Sequence, residues 1–200
     1  MLSTQRKSEI AVVVLAAGAS RRFGGIKQLA EFDGQPLLSR ALRVAKSNCA
    51  RPWLTLGAHA DQIHAELALS GVEVLLVDRW QEGMAASLRK AVATAQQNNC
   101  EGMIVLLADQ PLITKSDVER LHALALENPR VAVMSRYASG QLGVPAYLPA
   151  RYFSQLSALA GDEGARKVLR NEPVRTVDVE ERGRDIDTRE ELDLLEREWR

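Results

Sequence analysis

A short run of small residues followed by cations is the first part of this sequence that could do chemistry. Ala16, Ala17 and Gly18 directly follow an apolar run, and Arg22 and Lys27 come soon after them. Small residues let backbone N–H groups approach phosphate oxygens, and cations neutralise the charge of a triphosphate. A tight turn that only closes the fold is the simpler alternative, but the two cations favour phosphate binding.

Two well-known phosphate-binding motifs are excluded at this loop. A Walker A loop requires a second glycine where Phe23 stands and then Lys-Ser or Lys-Thr, neither of which is present here. The dinucleotide fingerprint GxGxxG is also missing, and no acidic residue ends a second strand at the expected distance. The loop therefore predicts a different class of nucleotide site.

Asp109 is the best candidate for a metal ligand. It follows the apolar residues 103–107, which predict a buried strand, and Pro111 ends that strand. A carboxylate at the carboxyl end of a parallel strand shares one edge of the sheet with the phosphate loop. Mg²⁺ usually takes one or two carboxylates together with substrate phosphates and water. A turn or helix-cap aspartate is the structural alternative.

A second carboxylate should complete this metal site, and the C-terminal part of the chain offers two. Asp185 and Asp187 lie close together, directly before Thr188. Thr188 and Glu191 form a capping-box pattern, which predicts a helix start and gives Asp187 a structural alternative. We assign the metal to Asp109 and Asp187, with Asp185 as the alternative second ligand.

Two further segments place polar or small residues at predicted helix starts. Gly83, Met84 and Ser87 open a helix at whose N-terminus a base or ribose could lie against the backbone. The alternative is that these small residues only allow the helix to pack tightly against its neighbours. Asp162 and Arg166 belong to a segment that predicts another helix with an acidic N-cap, which taken alone is structural.

These candidate residues must be brought together by strands that alternate with helices. The predicted strands are residues 11–15, 53–56, 72–77, 103–107 and 131–134. The predicted helices are residues 36–45, 61–69 and 84–95, one that starts after Thr114, and a last one after Thr188. Alternation of this kind indicates a parallel α/β sheet with right-handed crossovers. Ligands of such sheets bind outside the carboxyl ends of the strands.

Residues 135–149 interrupt this alternation. The segment is rich in Gly and Pro, and residues 144–147 predict an outlying strand. We expect this segment to shape the acceptor side of the site.

The composition predicts one soluble domain. The 200 residues are 46% hydrophobic, which is enough for a sizeable core, and 26 basic residues balance 26 acidic ones. Neither charge forms a run that predicts a nucleic-acid partner, and the apolar residues 10–17 are too few for a membrane span or a signal peptide. Residues 1–9 are polar and predict a disordered N-terminus. We expect a cytoplasmic protein with neither nucleic acid nor membrane as its partner.

Several segments together resemble the molybdenum cofactor cytidylyltransferase family, which is similar to guanylyltransferase and sugar-phosphate nucleotidyltransferases. The matching segments are residues 15–18 with Arg22 and Lys27, 34–38, 83–88, 109–111, 161–166 and 185–188. Their order and spacing agree with the family over nearly the whole chain. The resemblance implies a single-domain, Rossmann-like (GT-A-like) α/β fold, with a mostly parallel sheet and helices on both faces.

The resemblance also implies a role for each segment, because in this family the first loop holds the triphosphate and the aspartate before Gln-Pro binds magnesium. It assigns nucleotide binding to Leu15, Ala16, Ala17, Gly18, Arg22, Lys27, Gly83, Met84 and Ser87. It assigns catalysis to Arg22, Lys27 and Asp109, the metal to Asp109, and the acceptor to Asp162 and Arg166, while Asp187 remains the expected second metal ligand from the residue pattern.

The expected reaction is a Mg²⁺-dependent transfer of CMP from CTP to the phosphate of a molybdopterin-type cofactor, with release of pyrophosphate. Ala17 stands where the guanylyltransferase relatives have glycine, which favours CTP over GTP. Ser20-Arg21 replaces the Gly-Thr of the broader signature. The alternatives are GTP as donor, another phosphorylated acceptor, or a non-catalytic carrier of a nucleotide or cofactor. A recipient molybdoenzyme is the expected protein partner.

Overall fold

A seven-stranded sheet forms the middle of the protein in a computed structural model that describes residues 10–199. The strands are β1 (Ile10–Leu15), β2 (Glu31–Phe32), β3 (Gln35–Pro36), β4 (Trp53–Leu56), β5 (Glu73–Leu76), β6 (Gly102–Leu107), β7 (Ala132–Tyr137), β8 (Leu142–Pro149) and β9 (Val174–Glu180). The helices of the described residues are α1 (Leu37–Asn48), α2 (Ala60–Glu66), α3 (Met84–Gln97), α4 (Lys115–Glu127), α5 (Phe153–Ser157), α6 (Ala165–Leu169) and α7 (Arg189–Trp199). The predicted disordered N-terminus, residues 1–9, lies outside the described residues.

The strand order confirms the predicted α/β sheet. In the large sheet the order is β5-β4-β1-β6-β8-β7-β9, while β2 and β3 form a separate hairpin. Neighbouring strands of the large sheet are parallel except where β8 is one of the pair. The sheet is therefore mostly parallel, with one antiparallel strand inserted near one end.

Helices cover both faces of the sheet, as predicted. Ile10, Val12 and Val14 of β1 pack with α1 and α4 on one face, whereas the intervening residues of β1 pack with α3 on the other. Because both faces of β1 bury apolar side chains, its sequence needs no polar alternation. None of the helices in residues 10–199 combines the length and the apolar character that crossing a membrane requires.

The predicted outlying strand is wrong in its position, because β8 lies inside the sheet between β6 and β7. Tyr147 of β8 is fully buried, and its hydroxyl donates a hydrogen bond of 2.8 Å to the carbonyl of Pro129. Ser135 of β7 donates to the carbonyl of Pro145 where the β7–β8 register shifts. The Gly and Pro residues of this segment indicate a turn and an irregular strand. They do not show where β8 lies in the sheet, because its place between β6 and β7 depends on pairing with those strands.

Other differences from the prediction occur at element ends. The helix predicted over residues 61–69 ends at Glu66, and α6 begins at Ala165 with Gly164 as its N-cap, so Asp162 does not cap it. No strand was predicted at β9, where charged and apolar residues alternate along the edge of the sheet. An edge strand buries only part of its surface, and its apolar signal is correspondingly weak.

Both predicted capping boxes are present. Thr114 accepts a bond from the Asp117 amide, and the Asp117 carboxylate accepts one from the Thr114 amide. At the start of α7, Thr188 and Glu191 exchange the same pair of bonds, and Glu191 also accepts from the amide of Asp187 at 2.6 Å. The second box therefore fixes the backbone of a candidate metal ligand as well as a helix start.

Candidate active site

A cleft of about 430 Å³ opens at the carboxyl edge of the parallel strands. The predicted site residues that line it are Leu15, Ala16, Ala17, Gly18, Arg22, Lys27, Gly83, Met84, Ser87, Asp109, Asp162 and Asp187. Within the described chain, the exposed Arg166 is the predicted site residue that does not line this cleft. Gln28, Trp80 and Gln81 also line it and were not predicted.

The parallel pairing of β1 with β6 explains why the loop after β1 and Asp109 meet. Leu15 and Leu107 are register partners at the ends of these strands. The segments that follow β1 and β6 leave the sheet at the same edge. The loop after β1 and Asp109 after β6 therefore face one cleft. The prediction that both segments follow the carboxyl ends of parallel strands agrees with this geometry, and the pairing adds that the two strands are neighbours.

The buried side chain of Gln28 holds the backbone of the loop after β1. Its side-chain amide donates to the carbonyl of Ala16 at 2.8 Å and to that of Gly18 at 3.0 Å. The carbonyl of Ala17 accepts a bond of 3.1 Å from the amide of Ala58. With these carbonyls engaged by the protein, the loop keeps one backbone conformation. No periodicity or motif distinguishes Gln28 in the sequence, so its role was missed.

Four charged side chains from three separate segments form a cluster in the cleft. The Nζ atom of Lys27 lies 2.6 Å from Oδ2 of Asp109 and 3.3 Å from Oδ1 of Asp187. Arg22 Nη2 lies 3.0 Å from Oδ2 of Asp187. The Lys27 side chain is 14% exposed, whereas that of Arg22 is 74% exposed. Arg22 is therefore well hydrated, whereas the largely buried Lys27 is the cation that contacts both carboxylates.

Asp185 and Asp187 have different surroundings, although they lie close together in the sequence. Asp187 lines the cleft and contacts both cations, whereas Oδ1 of Asp185 accepts a hydrogen bond of 2.8 Å from Gln110. Asp185 is exposed as a residue, but its carboxyl group lies in a crowded environment. Desolvation, followed by the charges of Asp109 and Asp187, raises the pKa of Asp185 to about 6.

Gln110 joins the two segments that carry these carboxylates. Its buried side-chain amide lies 3.1 Å from the carbonyl of Gly183 and 3.0 Å from the Tyr137 hydroxyl, in addition to its bond with Asp185. The amide of Ile186 donates to the carbonyl of Asp109 at 2.9 Å. The backbone beside Asp187 is thereby held directly against the end of β6.

Arg182 provides a second anchor for the same segment. It donates two hydrogen bonds, of 3.0 and 3.1 Å, to Asp117 at the start of α4. The Asp117 side chain is only 2% exposed and is also contacted by Arg120 at 2.7 Å. Burial opposes ionisation of Asp117, but hydrogen bonds from Arg182, Thr114 and Arg120 outweigh it and lower its pKa. The sequence shows the helix cap at Asp117 but not its distant arginine.

Gly83 and Asp162 are in direct contact, which joins two segments that the sequence analysis treated separately. A Cβ atom on Gly83 would lie 2.4 Å from Oδ1 of Asp162 and 2.6 Å from the carbonyl of Gly161, and the φ angle of Gly83 is +91°. The amide of Ala85 in α3 donates to the same Gly161 carbonyl at 3.0 Å. Glycine is required here for both the close approach and the backbone conformation.

The donor set of the cluster fits a hard divalent cation. Oδ1 of Asp109 is buried and has no hydrogen-bond partner among residues 10–199. An unsatisfied buried carboxylate oxygen is costly, and a cation satisfies it. No group of three or more His, Cys, Asp and Glu side chains within the described residues has metal-binding geometry. Mg²⁺ and related ions often take one or two protein carboxylates and complete their shell with substrate oxygens and water.

A mostly parallel sheet covered on both faces, with a charged cleft at its carboxyl edge, defines an α/β protein whose ligand site is expected at the carboxyl ends of the strands. Residues 12–178 match the family described as the MobA-like NTP transferase domain. The chain belongs to this family and is therefore a nucleotidyltransferase. The predicted resemblance to molybdenum cofactor nucleotidyltransferases is confirmed at the level of the family.

Two relatives extend over nearly the whole chain. The purine catabolism protein PucB of Bacillus subtilis is 28% identical over 92% of this chain and 95% of its own length. Nicotine blue oxidoreductase of Paenarthrobacter nicotinovorans is 31% identical over 90% of this chain and 93% of its own length. The molybdenum cofactor cytidylyltransferase of Escherichia coli is 25% identical over 54% of this chain and 55% of its own length.

The crystal structure of Rv0371c from Mycobacterium tuberculosis has the same fold. It superimposes with a TM-score of 0.83 at 33% identity and covers 95% of this chain and 98% of its own. Another structure of that protein is a complex with manganese, and it superimposes with a TM-score of 0.78 at 30% identity over the same shares of the two chains.

Proposed function

We propose that the protein transfers CMP from CTP to the phosphate of a molybdopterin-type cofactor, with Mg²⁺ as the metal and pyrophosphate as a product. The observation that carries this proposal is the convergence of Arg22, Lys27, Asp109 and Asp187 in one cleft. Nucleotidyl transfer requires positioned substrates, cations for the triphosphate and carboxylates for a metal. Two cations and two carboxylates meet at one edge of the sheet, which supports the proposal.

In the proposed reaction, a terminal phosphate oxygen of the acceptor attacks the α-phosphorus of CTP in line with the leaving group. A new P–O bond forms, and the bond between the α-phosphorus and the oxygen that bridges to the β-phosphorus breaks. Pyrophosphate leaves with that electron pair. Arg22 and Lys27 offset the negative charge that develops on pyrophosphate.

Asp109 and Asp187 are the proposed metal ligands. When bound, Mg²⁺ supplies charge stabilisation at the α-phosphate. The unpartnered Oδ1 of Asp109 supports this assignment. The bond from Gln110 to Asp185 supports Asp187 over Asp185, because Asp185 already serves to hold the loop.

The base and ribose are proposed to lie against Gly83, Met84 and Ser87 at the start of α3. Ala17 and Trp80 give the cleft an apolar wall beside this segment, and that wall supports this part of the proposal. Such a surface suits the flat face of a base, while the cations lie at the other end of the loop. Ala17 in place of glycine supports CTP as the donor.

The acceptor is proposed to approach from the side of Asp162 and Arg166. Asp162 lines the cleft and Arg166 lies on the short helix that follows it. A cation at this edge could contact the acceptor phosphate once that group enters the cleft.

Pyrophosphate release by the purified protein tests the proposal. The measurement compares CTP, GTP, ATP and UTP with Mg²⁺, with and without molybdenum cofactor. Cofactor-dependent release with CTP alone is the expected result. Release with GTP instead would assign a guanylyltransferase, and release only with another phosphorylated acceptor would change the substrate. No release with any combination would favour the non-catalytic carrier.

A further inference from the structure

The ammonium group of Lys27 lies between the carboxylates of Asp109 and Asp187, where a metal ion held by both would also lie. Its Nζ atom is 2.6 Å from Oδ2 of Asp109 and 3.3 Å from Oδ1 of Asp187. A charge-assisted bond of 2.6 Å is short, and Lys27 is 14% exposed. One ammonium group of the protein itself thus contacts both carboxylates, and Arg22 contacts Asp187 as well.

Few oxygen atoms of the pair are left for a metal ion. Oδ2 of Asp109 and Oδ1 of Asp187 face Lys27, and Oδ2 of Asp187 faces Arg22. Only Oδ1 of Asp109 has no partner among the described residues. A divalent ion held by both carboxylates would have to displace at least one cation. It would also come close to the positive charge of Lys27, and that repulsion is strong at short range.

The surroundings of Lys27 allow its side chain to move without the backbone. Gln28, the next residue, is buried and bonded to the carbonyls of Ala16 and Gly18. Lys27 carries a flexible four-carbon side chain and lines the same cleft as the phosphate loop. The motion that the inference requires is therefore a rotation of this side chain within the cleft, while the bonds of Gln28 hold the neighbouring backbone in place.

We propose that Lys27 occupies the metal position until the phosphates of a nucleotide draw its ammonium group away from Asp109 and Asp187. The divalent ion then binds tightly only together with the nucleotide. This inference rests on the proposed function, because it requires a nucleoside triphosphate in the cleft. It gives Lys27 a second role besides charge neutralisation, since the same side chain couples the two binding events. Such coupling is reciprocal, so the metal also tightens nucleotide binding.

Mn²⁺ binding, measured by electron paramagnetic resonance of the free ion, tests the inference. The probes are Mn²⁺ alone and Mn²⁺ with the α,β-methylene analogues of CTP and GTP, after correction for Mn²⁺ bound by free nucleotide. The variants are Lys27→Met and, in case that variant folds poorly, Lys27→Gln. Lys46→Met is the matched control, because Lys46 is exposed at the far end of α1 and bonds the carbonyl of Ser70.

Without nucleotide, both Lys27 variants should bind Mn²⁺ about tenfold more tightly than the wild type, because the competing charge is gone. With an analogue, the wild type should gain about tenfold or more in Mn²⁺ affinity, and the variants should gain much less. Lys46→Met should behave like the wild type in both measurements. Equal or weaker Mn²⁺ binding by the Lys27 variants without nucleotide would overturn the inference.

Together, Mn²⁺ binding and pyrophosphate release show whether this inference or the proposed function fails. Tighter metal binding by the Lys27 variants, together with no pyrophosphate release by the wild type, would remove the proposed reaction but leave the competition at Lys27 established. Wild-type protein that releases pyrophosphate, but whose Mn²⁺ affinity is unaffected by either analogue, would keep the reaction and remove the coupling.

Discussion

The two halves of the sheet place their candidate site residues in different ways. In the half formed by β5, β4, β1 and β6, the loop after β1 and Asp109 follow directly from buried parallel strands. In the half formed by β8, β7 and β9, Asp187 reaches the same cleft only through a segment held by Gln110 and Arg182. The order of the parallel strands therefore brings the first set to the cleft, with Gln28 holding the loop after β1, whereas contacts between distant side chains position the second set.

The largest expected effect comes from the half that strand order positions. Asp109→Ala should lower turnover by about 10²- to 10³-fold, by analogy with the loss of one charge-stabilising group. The fold should persist, because Asp109 lies after the end of β6 rather than in its core. Initial rates of pyrophosphate release and thermal unfolding measure the two properties.

Asp193→Ala, at an exposed aspartate of α7, is the control for Asp109→Ala. Near-native turnover of Asp109→Ala with Mg²⁺ would remove Asp109 from the metal site.

Asp187→Ala should cause a loss of similar size if both carboxylates hold one ion. A much smaller loss would mean that the second half of the sheet contributes little to the site.

Gly183→Ala probes the contacts that hold the second half. A Cβ atom at Gly183 would lie 2.1 Å from a ring carbon of Tyr137, and the Tyr137 hydroxyl is fixed by a bond of 2.8 Å to the carbonyl of Val144. We expect a loss of about 1–3 kcal/mol in the free energy of unfolding, as for other overpacked sites. Urea denaturation measures it. Gly25→Ala, where the nearest atom is 4.0 Å away, should have little effect.

Asp117→Asn tests the more distant anchor. It should lower the free energy of unfolding at neutral pH by about 2 kcal/mol, because hydrogen bonds of a buried carboxylate to arginine are lost. The folded-state pKa of Asp117 is lowered, so its stabilisation is present above the unfolded pKa of about 3.9 and is lost as pH falls through the folded value. The difference between wild type and variant should therefore shrink below about pH 4.

Urea denaturation across this pH range measures the Asp117 effect, with Asp178→Asn as its control. Asp178 is exposed and pairs with Arg136 at 3.4 Å, so its replacement should change stability little at any pH. A difference for Asp117→Asn that stays constant into acid would show that its charge does not stabilise the fold.

The smallest effect is expected at the acceptor side. Arg166→Ala should raise the KM for the acceptor by about 2- to 5-fold and leave binding of CTP alone unchanged, because an exposed charge contributes little. Steady-state kinetics with varied acceptor measure this change. Arg170→Ala, at an exposed arginine just after α6, is the control. An unchanged acceptor KM for Arg166→Ala would remove this residue from the proposed acceptor site.

Prediction from the sequence was most successful where local pattern and burial agree. The continuous apolar runs of β1 and β6 predicted parallel strands, and Thr114 and Thr188 predicted two helix starts that are present. It failed where an element is defined by its neighbours. The position of β8 was wrong, β9 was missed, and Asp162 does not cap α6.

The sequence by itself determined the chemistry that the cleft can offer: small residues for a phosphate loop, two cations and two carboxylates, each next to a recognisable strand or helix end. Only the tertiary structure decided which carboxylate faces the cleft, because Gln110 holds Asp185 and leaves Asp187 beside Lys27. It also decided that Lys27 lies between the two carboxylates. These contacts join residues far apart in the chain, and local propensities carry no information about such pairs.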